Sequence, residues 1–295
     1  MNTHRPTLLV VAWLGTLLLS RFSEIPFREF LGIDPTAWMI WFWSLAGAAL
    51  VALTFFWPLI QPLRRYFLML TLIWVITKLL ELLTAQNAIW LGWFGSDKPW
   101  VISFFGERLF GVLLALILAG VLLALGQRRE EFFLRIGELN APVGGLQWLG
   151  RNKPITWMVV GPTVAIALTT LIGIGVFMLN PPQAAGFEKA ISLLPAVLLF
   201  AVMNAFGEEL AFRAVPLSQL WTVVGSRQAI WMTAVWFGLG HYYGGVPSGL
   251  PGAVFLSLMG ALIGKAMLET KGIAMPVFIH LWGDVLIYAG YAMAS

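Results

Sequence analysis

The chain has 295 residues, 59% of them hydrophobic and only 11% charged, with a mean hydropathy of +0.85. A soluble domain carries about 25% charged residues, so this composition excludes an ordinary soluble enzyme and describes a chain that crosses a bilayer repeatedly. The net charge of +4 fits a loop bias around membrane spans rather than nucleic-acid binding, and the absence of cysteine excludes disulfides, thiolate nucleophiles, thiolate zinc sites and iron–sulfur clusters.

In chain order, the hydropathy pattern predicts about nine apolar segments, at 7–20, 36–60, 66–84, 101–125, 155–179, 190–212, 228–242, 252–268 and 273–293. The first follows His4 and Arg5 and has the short apolar core of a signal peptide. It lacks a clear small-residue cleavage site and is read as a helix. In the third, Lys78 and Glu81 are three apart and can pair on one helix face. The stretch 85–100 is rich in tryptophan and reads as an interfacial hairpin. The polar stretch 126–154 divides the chain. Residues 1–125 form N-terminal transmembrane helices of unassigned role, 126–154 a polar cytoplasmic loop, and 155–295 a transmembrane core holding every candidate catalytic group. The expected fold is all-α, a polytopic transmembrane helical bundle of about eight to nine membrane helices. With nine spans, twelve of the 18 basic residues fall on the side of the N-terminus, and the margin over the other side rests mainly on the five in 126–154. The positive-inside rule then places the N-terminus in the cytoplasm.

Chemistry concentrates in three places. Gly207-Glu208-Glu209-Leu210-Ala211-Phe212-Arg213 puts three charged side chains in a membrane-length apolar stretch, where each costs at least ~2.5–3.5 kcal/mol on insertion scales. Glu209 and Arg213 are four apart and can pair, which leaves Glu208 for another partner. A carboxylate in a low-dielectric site suits a general base or acid near neutral pH. Phe237-Gly238-Leu239-Gly240-His241 is followed by a run of glycines and prolines from Tyr242 to Gly252 that cannot stay helical. Such backbone is tolerated at membrane depth only when buried in protein or lining a cavity, so His241 is expected to face one. His280 and Asp284 share a helix face, where the carboxylate can orient the imidazole. Together these parts suggest a hydrolase. Glu208 with His241 would hold a water and take its proton, and His280 with Asp284 would stabilise a developing oxyanion. A metal site built from His241, His280 and a carboxylate is the other chemistry available, although no His-Glu-x-x-His pair occurs on one helix.

The three motifs, Glu-Glu-x-x-x-Arg at 208–213, Phe-x-x-x-His at 237–241 and His-x-x-x-Asp at 280–284, resemble those of the CAAX prenyl protease type 2 and bacteriocin-processing (CPBP, Abi) family. These are intramembrane glutamic proteases with an all-helical core, and the resemblance covers about residues 155–295. It implies that Glu208 activates water with His241 as its partner. Glu209 and Arg213 are then the supporting pair, Phe237 the aromatic of the second motif, and His280 the oxyanion-hole residue. Asp284 falls where eukaryotic and archaeal prenyl proteases usually carry asparagine. An ionised aspartate cannot donate a hydrogen bond, so it either is protonated or only orients His280. Many bacterial relatives resemble this aspartate form, so it does not signal inactivation, and the expected location is the inner membrane of a bacterial or archaeal cell.

The function expected from the resemblance is an intramembrane endopeptidase that hydrolyses a peptide bond of a membrane-associated protein or peptide. No cofactor is implied, although relatives are often labelled metalloproteases. The partners implied are a membrane-anchored substrate and the lipid bilayer, with no nucleic acid. Three alternatives stand beside it: a metal-dependent protease using the same histidines, a non-catalytic immunity or scaffold protein of the same fold, and a proton relay or transporter.

Overall fold

The computed structural model describes residues 5–145, 154–179 and 184–295. With no water in hydrocarbon to satisfy an exposed backbone, each apolar segment closes its hydrogen bonds internally as a helix. No strand occurs among the described residues; Pro142 and Thr156 form an isolated bridge. The α-helices are α1 (Arg5–Leu18), α2 (Thr36–Phe56), α3 (Arg64–Ala85), α4 (Ala88–Phe94), α5 (Trp100–Ala124), α6 (Trp157–Leu179), α7 (Ala184–Ser192), α8 (Leu194–Glu209), α9 (Val215–Val224), α10 (Ser226–Gly240), α11 (Gly249–Thr270) and α12 (Ala274–Ala294).

Among the described residues, seven helical stretches are long and apolar enough to cross a membrane, and a bent pair, Pro6–Leu18 with Arg21–Phe30 at 60°, makes eight if it counts as one span. The protein is therefore an all-α, polytopic integral membrane protein. The nine-segment reading is corrected at two places. The segment read at 7–20 is only the first arm of the bent pair. The segment read at 228–242 is α10, whose 15 residues rise about 22 Å and fall short of a hydrocarbon core of about 30 Å. The alternation of loop sides assumed nine spans, so the charge count loses its basis.

Two loops also take shape. In the 85–100 stretch Asn87 caps a short helix, its side chain accepting from the N–H groups of Ile89 and Trp90, and a turn then leads into α5. The described part of 126–154 clasps the turn between α11 and α12. Glu138 N–H donates to Thr270 O at 2.7 Å, Ile273 N–H to Arg135 O at 2.9 Å, and Trp157 Nε1 to Glu269 Oε2 at 2.9 Å. Gly137 and Gly272 lie backbone to backbone, Gly137 with φ 85°, and a Cβ on either would collide with the other strand of the clasp.

The chain forms two compact units, each assembled from three separate stretches. One comprises residues 1–81, 118–132 and 211–265. In it the carbonyl of Leu19, past the end of α1, accepts from both Trp74 Nε1 (2.9 Å) and Trp236 Nε1 (2.8 Å), and Trp74 stacks on Trp43 at 4.0 Å. Gly238 lets α10 press against Ala253 and Ser257 of α11, as small residues do between membrane helices. Lys78 and Glu81 pair at 3.2 Å, as their spacing predicts.

The other unit comprises residues 82–117, 133–210 and 266–295. Here α12 packs along α6, α7 and α8. A buried aromatic group, Phe104, Phe200 and Tyr288, packs edge to face at 5.3 and 4.9 Å between ring centres. Gly207 of α8 faces Gly111 of α5 so closely that an added Cβ would stand 3.2 Å from the Gly111 carbonyl carbon.

Candidate active site

Both helices that carry the acids and the last histidine use the i, i+4 repeat. On α8, Asn204 and Glu208 are one turn apart, and on α12 His280, Asp284 and Tyr288 form a row down one face. Pro195 fixes the first turn of α8, where its missing N–H costs nothing. At its other end α8 passes into a π-helical turn, Leu210–Ala214. Such widened turns recur at functional sites, and this one follows directly on Glu208 and Glu209.

The imidazole of His280 is the hub. It is 6% exposed and lies among three carboxylates. Nδ1–H donates to Glu209 Oε1 at 2.7 Å, while Nε2 lies 3.7 Å from Glu208 Oε2 and 3.6 Å from Asp284 Oδ2. Glu209 is fully buried, whereas the Glu208 side chain keeps about a quarter of its surface exposed. The orienting hydrogen bond therefore comes from Glu209, the acid that is also spaced to pair with Arg213. Asp284, expected to orient the ring, stands in ion-pair range of the other nitrogen. Only one imidazole nitrogen can point back along α12 toward the i+4 carboxylate; the other meets the acid offered by α8.

Three residues that sequence reasoning missed complete this cluster. Asn204 Nδ2 donates to Asp284 Oδ2 at 3.0 Å. Arg108 Nη1 of α5 donates to Asn204 Oδ1 at 2.5 Å and to Tyr288 Oη at 2.8 Å. The guanidinium also lies over the rings of Phe104 (4.7 Å) and Tyr288 (5.5 Å). Signals existed for all three. Asn204 and Tyr288 sit one helical turn from Glu208 and Asp284, and Arg108 is a lone cation in an apolar segment. Arg108 also lines a cavity of about 460 Å³ with Trp90, Phe94, Ser96, Ser103 and Glu107. An amide thus reaches Asp284, although the family pattern would put the amide at position 284 itself.

The remaining candidates belong to the first unit and form a stack. Arg213 is fully buried with its guanidinium 4.7 Å from the centre of the Phe237 ring, and Phe237 in turn packs on His241 at 5.1 Å. Gly260 gives the guanidinium room, since a Cβ there would stand 3.0 Å from Nη2. His241 caps α10, its N–H donating to Gly238 O at 3.0 Å, and Gly245, with φ 89°, lies against its ring where any side chain would strike Nδ1. No group of three His, Asp or Glu among the described residues is placed to hold a metal ion.

The fold and cluster define an all-helical integral membrane protein with carboxylates and imidazole buried at span depth. Residues 190–286 match the family model of the type II CAAX prenyl endopeptidase, Rce1-like. The match covers less than half of the chain, but it contains Glu208, Glu209, Arg213, Phe237, His241, His280 and Asp284. The family that this segment matches is one of proteases, and it is the family that the three motifs resemble. No curated protein and no solved structure matches the chain.

Proposed function

We propose that the protein is an intramembrane endopeptidase that cleaves a peptide bond in a membrane-anchored protein or peptide by activating water with Glu208. The observation that carries this reading is the set of carboxylates on His280. Glu209 holds Nδ1 at 2.7 Å, and Glu208, the more exposed acid, lies 3.7 Å from Nε2. Glu208 removes a proton from water as the oxygen attacks the scissile carbonyl. His241 is the second residue on that water, a role that follows from the resemblance of the Phe-x-x-x-His motif. His280, carrying a proton on Nε2 while Glu209 accepts the one on Nδ1, donates to the oxyanion that develops. The proton taken by Glu208 then passes to the departing amine as the carbon–nitrogen bond breaks. Asn204, itself held by Arg108, fixes Asp284, the second carboxylate near Nε2. Arg213 and Phe237 support the ring of His241.

The test uses the full chain in lipid vesicles with membrane-anchored peptides followed by mass spectrometry. Glu208→Gln keeps the shape and removes the base, and cleavage should fall by about 10²–10⁴-fold, the range for a lost general base. A Glu208→Gln protein that cleaves at the unmodified rate overturns the mechanism. An unmodified protein that cleaves none of the peptides favours a non-catalytic membrane module.

A further inference from the structure

The family match begins at residue 190, so nothing in it assigns a task to the bent N-terminal segment. Within the first unit that segment touches the stretch leading up to and past His241 at four points. Trp13 Nε1 donates to Gln228 Oε1 at 3.0 Å, and Trp236 Nε1 donates to Leu19 O at 2.8 Å. Past the bend, the guanidinium of Arg28 lies 4.8 Å over the ring of Tyr243, and Tyr243 Oη donates to Glu29 Oε1 at 3.1 Å.

Arg28 is itself held from several sides. Its Nε reaches Glu24 at 2.7 Å, and its Nη2 reaches Asp34 at 2.9 Å and Thr36 at 2.6 Å. Glu24 is buried and also binds Arg21 at 2.9 Å. The guanidinium is thus a fixed platform.

What it holds has little packing of its own. Residues 244–248 are exposed, two of the five are glycine, and the loop is closed by Gly249 N–H to Tyr242 O at 2.8 Å, with a longer bond from Gly252 N–H to Ser248 O at 3.4 Å. Segments with few buried contacts open easily. Tyr243 is the residue anchored, and His241 lies two positions before it. Burial and the bond to Glu29 push the Tyr243 phenol up to about 12, so it stays a neutral donor to that carboxylate.

We propose that Arg28, Glu29 and Tyr243 form a strap by which the N-terminal segment fixes the loop carrying His241, making them positioning residues for the reaction proposed above. The placement rests on the unit's own geometry; the kinetic consequence rests on the proposed function.

Hydrogen exchange on the full chain in detergent micelles tests the strap. In Tyr243→Leu, which removes the ring and the phenol, the amides of His241, Tyr242 and Gly249 should exchange about tenfold faster, while those of α12 keep their protection. Arg28→Gln should act the same way, and Arg28→Lys, which keeps a cation over the ring, should recover most of the protection. With a cleaved peptide, Tyr243→Leu should lower kcat about tenfold and leave KM within about twofold, because water activation rather than peptide binding is disturbed. Unchanged exchange at these three amides in Tyr243→Leu overturns the strap. So does a lysine variant no better than glutamine, or an unchanged kcat in a protein that cleaves. If the unmodified protein cleaves nothing but the exchange pattern holds, the strap stands and the proposed function falls.

Discussion

Replacing Asn204 with alanine breaks both links of the path from Arg108 to Asp284. Asp284 is 6% exposed and would lose a 3.0 Å amide donor. A hydrogen bond to a charged group is worth about 1.5–3 kcal/mol. Arg108 would lose its 2.5 Å acceptor but keep Tyr288 Oη at 2.8 Å, so its share is smaller, about 0.5–1.5 kcal/mol. The two losses together give about 2–4.5 kcal/mol of destabilisation, to be read from unfolding of the purified protein in micelles. Asn204→Asp is the sharper control. It preserves size and the acceptor for Arg108, but presents an oxygen in place of the donor that faces Asp284 Oδ2. It should be at least as damaging as alanine despite its shape. In a double-mutant cycle, Asn204→Ala combined with Arg108→Met should show a coupling of about 1 kcal/mol or more, as residues in one hydrogen-bond network do. Full stability and turnover in Asn204→Asp would refute the argument, because they would mean that Asp284 is not held by a donor from α8.

Two further expectations concern packing and orientation. Gly207 precedes Glu208 and faces the backbone of Gly111, which cannot swing aside, so Gly207→Val should lose about 1–3 kcal/mol by overpacking and lower cleavage further by displacing the neighbouring acid; thermal unfolding and turnover measure both. The chain has no cysteine, so a single cysteine at position 130, in the exposed stretch 129–131, reports orientation cleanly, and we expect it to react with an impermeant maleimide from the cytoplasmic side, the outcome that the basic residues at 128, 129 and 135 favour.

The sequence disclosed the fold class because membrane composition leaves helices as the only economical answer, and it disclosed the acids and histidines because charge at span depth is costly. Its errors have physical causes. Apolar content alone does not separate a 15-residue buried helix such as α10 from a span, since both must shed water and only length distinguishes them. The bend after Leu18 was hidden for the same reason: hydropathy carries no record of direction. Spacing along one helix brings Asp284 to His280, but it cannot show the hydrogen bond to Glu209, 71 positions away. Asn204 escaped notice because one amide in a membrane helix is unremarkable until the row from 204 to 208 is laid beside the row from 280 to 288. Arg108 escaped because a count of basic residues by side of the membrane does not separate a cation inside a span from a loop charge.

The cluster also bears on why these residues are there at all. A pair placed for stability would match one acid to one base, and even then desolvation commonly cancels the attraction. Here three carboxylates gather around one imidazole, with Glu209 and Asp284 almost completely out of contact with solvent. Gathering like charges in low dielectric works against stability, and local conflicts of this kind are expected where function has overridden packing. The consequence separates the two origins. If the acids serve folding, Glu208→Gln should weaken the protein by more than about 1 kcal/mol, because it removes a charge that the imidazole needs. If they serve chemistry, Glu208→Gln should leave stability unchanged or raise it by up to about 1 kcal/mol while abolishing cleavage, the usual exchange of activity for stability at a strained site. Unfolding midpoints of the two proteins, measured beside their turnover, decide between these origins without any knowledge of the natural substrate.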